Sequence, residues 1–123
     1  MRDTSASERD YIASLLAKDF DELYMLIAQG DPSNADVLFA PTQARAKGER
    51  TFKDLLAPLR KKICTEWKYC SRRHDPELQD NVTLVASLAD VVSTIIGGIP
   101  ANIVAALLVK KGLTALCRCK RNE

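Results

Sequence analysis

Apolar side chains recur at helical spacing through the first part of the chain. Ile12, Leu15, Leu16, Phe20, Leu23, Leu26 and Ile27 fall within one arc of about 140° at about 100° per residue. Ahead of them, Ser5-Ala6-Ser7-Glu8 fits a capping box, in which the Ser hydroxyl and the Glu carboxylate satisfy backbone donors left open at a helix start. Gly30 followed by Pro32 is a stop signal. The pattern therefore predicts a first helix over 5–29. Asp31-Pro32 opens a short second helix over 32–39 that carries Val37, Leu38 and Phe39, and the segment from Pro41 to Gly48 reads as a turn or a single helical turn.

A narrower stripe follows. Phe52, Leu56, Leu59, Ile63, Trp67, Cys70 and His74 are spaced 4, 3, 4, 4, 3 and 4 apart, which predicts a helix over 51–73. Pro58 lies inside it and either kinks the helix or sits in its first turn, because its nitrogen has no proton to donate four residues back. Trp67 and Leu59 are its expected core anchors.

The C-terminal third is far more apolar. Asp75-Pro76-Glu77 reads as an N-cap, a first helical residue and an acid at the positive helix end, starting a helix over 76–96. Gly97-Gly98-Ile99-Pro100 makes a turn, and a last helix runs over 100–116. The expected fold is all-α: one domain over 1–123, a compact bundle of four main helices plus a short one, with a C-terminal apolar helical hairpin.

Composition adds little to this, but charge adds something. At 123 residues with 46% apolar and 28% charged side chains, the chain has ordinary globular values. Its net charge of +2 hides a segregation: residues 1–44 carry −5, 45–74 carry +7, 75–109 carry −4 and 110–123 carry +4. Acidic and basic segments can neutralise each other within one fold. The N-terminal stretch has no apolar run behind a basic start, so the expectation is a cytoplasmic chain with reduced thiols.

Candidate chemistry is sparse. Cys64, Cys70 and His74 cluster in sequence, and Cys117 and Cys119 form a second pair. On one continuous helix Cys64 would lie about 240° from Cys70, and neither cysteine pair has the spacing of a structural zinc site, so no metal is expected. The cysteines read as core or boundary residues. No nucleotide-binding, hydrolase or metalloprotease motif occurs and there is a single histidine, so neither enzyme nor cofactor is expected. Asp19 and Glu22 read as solvated-face carboxylates.

One polar pattern points to a function. Arg50, Lys61, Lys68 and Arg72 lie within about 40° of each other opposite the apolar stripe, with Lys53, Lys62 and Arg73 on the flanks. The expected function is a small interaction module or regulatory adaptor that meets an acidic protein surface, or a second copy of the chain, through this face. Two alternatives compete. The stretch from Val91 to Val109 has nineteen residues without a charge, so a hairpin over 82–109 could insert in a membrane. The basic stripe could also track nucleic-acid phosphates.

Overall fold

The computed structural model describes residues 5–34 and 38–120, and their regular structure is entirely helical, with no strand among them. Seven α-helices are present in this range: α1 (Ala6–Leu16), α2 (Phe20–Gly30), α3 (Pro41–Arg60), α4 (Tyr69–Arg72), α5 (Asn81–Val92), α6 (Ala101–Lys111) and α7 (Leu113–Cys117). A π-helical segment, Lys61–Glu66, continues α3, and single 3-10 turns occupy Pro32–Asn34 and Pro76–Gln79.

The first helix is two helices. Ser5 caps α1 as its sequence suggests, accepting from the Glu8 N–H at 3.1 Å. Asp19, however, caps a new helix by accepting from the Glu22 N–H at 2.8 Å. The end of α1 is held by the Lys110 ammonium, which donates to the Leu16 carbonyl at 2.9 Å. Phe20, counted above on the buried arc, is consequently 38% exposed and lies against Lys110 and Lys111, whose Nζ atoms are 5.6 and 4.9 Å from its ring centre.

The segment after α2 differs more. The expected helix over 32–39 is a single 3-10 turn over Pro32–Asn34, and Val37 lies outside the described residues. The expected turn at 41–48 is instead the first two turns of α3. Pro41 occupies the first turn, where its missing N–H costs nothing, and the Ala40 N–H donates to Gln43 Oε1 at 3.2 Å. Gly48 does not end a helix here. It is buried in the middle of α3, where a Cβ would come within 1.7 Å of the Tyr24 carbonyl oxygen. Its bare Cα lets the backbones of α2 and α3 touch, and α2 packs chiefly on α3.

Pro58 is inside α3, and its effect appears one turn later. Without its N–H the Asp54 carbonyl loses its helical donor, and from Lys61 the chain widens to π spacing, so that the Trp67 N–H reaches the Lys62 carbonyl at 2.8 Å. Lys68 then takes a left-handed backbone, φ 59°, and α4 starts afresh. The expected unbroken helix over 51–73 is thus α3, a π segment and a separate short helix. Leu59 and Ile63 are fully buried, whereas Trp67 is only partly buried and Tyr69 takes the inner place beyond it.

In the C-terminal third the cap moves. Asp75-Pro76 opens only the 3-10 turn, and Asp80 caps α5 by accepting from the Val82 N–H at 3.2 Å. The helix ends at Val92 rather than near the glycines. Ser93 and Thr94 donate their hydroxyls back to the Asp90 and Val91 carbonyls, each at 2.8 Å, and compete with the next helical turn. The centre of the molecule is α6, which packs against α1, α2, α5 and α7. Ile103 to Leu108 are buried without exception, so the charge-free stretch is explained by a helix covered on all sides. No helix of the described residues is long and apolar enough to cross a membrane.

Two outcomes follow from this packing. Gly48→Ala gains about 1 kcal/mol of helix propensity but drives a methyl group into the α2 backbone. It should lower stability by about 3 kcal/mol in thermal or urea melts, while Gly97→Ala, where an added Cβ meets nothing within 4 Å, should leave the melt unchanged.

The second outcome concerns acid. Arg9 bonds Asp80 at 2.6 Å, and Thr83 adds a hydroxyl at 2.7 Å; together, with Arg9 the larger cause, they bring the Asp80 carboxyl from 3.8 down to about 2. A depressed folded-state value stabilises above the ordinary carboxylate range and loses that contribution as pH falls from about 4 to 2. Both partners are nearly half exposed, at 42% and 47%, so solvent screening keeps the contribution below about 1 kcal/mol. Asp80→Asn preserves the cap. It should cost that small amount at neutral pH and nothing near pH 2, as read from melting temperature against pH.

Candidate functional site

The cysteines are the first surprise. Cys64 is bonded to Cys117 and Cys70 to Cys119, with Cα separations of 5.2 and 5.3 Å, so the expected reduced core or boundary thiols are two disulfides. The expectation of reduced thiols rested on an N-terminal stretch without an apolar run behind a basic start, and reading one continuous helix kept Cys64 and Cys70 on different faces. The wide π turn over Lys61–Glu66 and the left-handed Lys68 re-aim the backbone between Cys64 and Cys70, and both then face the same C-terminal segment. Sulfurs paired in this way are not available as the thiolates that a metal needs.

Opposite them, the chain turns at Gly112, whose φ of 103° is open to glycine, and α7 lays Cys117 against the π segment and α4. Leu113 is buried and Leu116 is partly buried beneath it. Past α7, Arg118 is left-handed at φ 51°, which places Cys119 beside Cys70, and the Lys120 carbonyl accepts from Arg73 Nη2 at 2.7 Å.

This end of the molecule gathers positive charge. The disulfides join the segment carrying +7 to the segment carrying +4, although both sets of side chains repel. Arg45 is neutralised further along α3, reaching Asp21 of α2 at 2.7 Å and Glu49 at 3.6 Å, and Lys53 reaches Glu49 at 3.4 Å; within the cross-linked stretch Lys62 reaches Glu66 at 3.3 Å. Among the described residues, no ion pair engages Arg50, Lys61, Lys68, Arg118 or Lys120.

The four basic residues singled out from sequence do not form one straight row. Arg50 is exposed on α3 beside Lys47, at a cleft of about 440 Å³ also lined by Leu38, Phe39 and Ala46. Lys61 lies about 16 Å further along the same rod, exposed at the start of the π segment. Lys68 and Arg72 lie at the cross-linked end with Arg118 and Lys120. Arg72 is held in place, since its guanidinium donates to the Trp67 carbonyl and covers the indole at 5.7 Å. Beside that indole is a cavity of about 320 Å³ lined by Trp67, Arg72, Asp75, Leu78, Asp90 and Val91.

Arg118 and Lys120 were missed as part of this face because they are remote in sequence. The signal that could have found them is the pairing of two cysteines in each of two basic stretches. Among the described residues no cluster of His, Cys, Asp and Glu is arranged to hold a metal ion. Comparison with protein-family models, curated proteins and solved structures found no match.

The two cross-links interleave along the chain and share most of their loops, which makes their energies non-additive. They span 53 and 49 residues, and loop closure of that length constrains the unfolded chain by ~4 kcal/mol. Once either is closed, the other closes only a short loop and adds roughly 2 kcal/mol. Replacing Cys70 and Cys119 by Ser should therefore cost roughly 2 kcal/mol, and replacing all four should cost ~6 kcal/mol, as measured by urea denaturation.

Proposed function

We propose that this chain is a disulfide-fastened helical interaction module, a small adaptor rather than an enzyme, that docks an acidic protein surface through its basic face. Lys61, Lys68 and Arg72 carry the contact, and Arg50 extends it along α3. The observation behind this reading is that two covalent bonds hold the basic C-terminal segment against the basic stretch around Cys64 and Cys70, and that Lys61, Lys68, Arg118 and Lys120 form no ion pair among the described residues. Such a concentration of one sign raises encounter rates with a partner of the other sign.

We place its action in an oxidising compartment rather than the cytoplasm, because disulfides persist there and are rare where thiol buffers operate. The two competing readings have less support. Insertion of the hairpin over 82–109 would have to unpack α6, whose apolar side chains are already covered. Nucleic-acid binding would draw on the same cations, but the partly buried indole beside them, Trp67, is already covered by the Arg72 guanidinium.

The decisive measurement is binding of the oxidised chain to immobilised poly-glutamate, with single-stranded DNA and anionic vesicles in parallel. Poly-glutamate should bind with affinity that falls steeply with salt, and the variant with Lys61, Lys68 and Arg72 all changed to Glu should lose at least tenfold while melting normally. Retention of DNA or vesicles in preference to poly-glutamate would replace this reading by the corresponding alternative.

A further inference from the structure

Two residues of this surface are unusual in their backbone as well as their charge. Lys68 and Arg118 are the only non-glycine residues with positive φ among those described, at 59° and 51°. Both stand at helix ends, Lys68 before α4 and Arg118 after α7. Left-handed helix-end positions favour Gly or Asn, because a longer side chain crowds the neighbouring carbonyl there. Local structure alone would therefore select against Lys and Arg at both places.

Their positions within the cross-links are also matched. Lys68 lies between Cys64 and Cys70, and Arg118 lies between their partners Cys117 and Cys119. Counting along the chain through the Cys70–Cys119 bond, their Cα atoms are within about 17 Å of each other. Both side chains are exposed and, among the described residues, neither forms an ion pair or a side-chain hydrogen bond. Residues held in an unfavourable backbone persist when their surroundings enforce it, and such positions concentrate at binding sites. Here the two disulfides bracket both positions.

Building on the interaction-module reading, we infer that Lys68 and Arg118 are the centre of the docking surface, a pair of outward cations that accepts carboxylates from one acidic segment of a partner protein. Lys120 and the Arg72 guanidinium flank the pair. Arg50, on the α3 rod and remote from both cross-links, is peripheral. The occupant is a run of Asp or Glu rather than a phosphate polymer, because a carboxylate pair is met by one ammonium and one guanidinium without the base-stacking ring that nucleic acid uses.

The test separates charge from fold. In Lys68→Asn/Arg118→Asn the backbone keeps a residue suited to it, so the oxidised variant should melt at or above the temperature of the parent. Its affinity for poly-glutamate should nevertheless fall at least tenfold. The matched control Lys53→Asn/Arg60→Asn removes the same net charge from exposed positions on α3 and should stay within about twofold of the parent. Equal losses in the two variants would show that only net charge counts, and undiminished binding in the first would show that the pair makes no contact; either result overturns the inference but leaves the module reading standing. If the parent itself fails to bind poly-glutamate, that reading falls, and the inference with it.

Discussion

Two covalent bonds between residues 64–70 and 117–119 govern much of how this chain is arranged. They return the C-terminal segment to the middle of the sequence, past the central helix α6, and closing the loop removes much of the freedom of the unfolded chain. They also hold together two segments that would otherwise separate. Like charges brought within a Debye length of about 10 Å repel at moderate salt, and ordinary packing beneath α7 consists of little more than Leu113, Leu116 and the cystine sulfurs. The positive end of the molecule therefore depends on the cross-links for its shape.

The remainder of the fold rests on close backbone approach and on one fully covered helix. Gly48 lets α2 and α3 meet without an intervening side chain, and α6 accepts neighbours on every side through a run of small and branched apolar residues. Between these two features lies the aromatic cluster of Phe20, Tyr24 and Phe52, capped by the Lys111 ammonium within 4.9 to 6.0 Å of all three rings. Cations at the end of α6 thus serve the fold, where they meet rings and the open carbonyl of α1. Lys68 before α4 and Arg118 after α7 make no such side-chain contact among the described residues.

That contrast sorts the charges into two kinds. Arg9, Arg45, Lys53 and Lys62 have carboxylate partners, and Lys110 and Lys111 have aromatic ones. Among the described residues Lys68 and Arg118 have neither, and they occupy backbone positions that cost free energy to hold, of order 1 kcal/mol each.

Local pattern was enough for the helical class, for the caps at Ser5 and for the buried faces of Leu23, Ile27, Leu59 and Ile63, because apolar periodicity and capping chemistry act within a few residues. The Asp19 cap was legible as well, since Asp19 and Glu22 have the spacing of a helix start, but a favourable apolar arc ran across it. Beyond that, long-range partners decided. Whether Gly48 breaks a helix or joins two depends on where Tyr24 lies, and whether Cys64 and Cys70 share a face depends on a π turn that local periodicity does not encode. The basic face proposed for docking was half visible, as Lys61, Lys68 and Arg72. Its other half, Arg118 and Lys120, arrives through disulfides whose pairing is a matter of distance in space, and spacing along the chain cannot supply that distance.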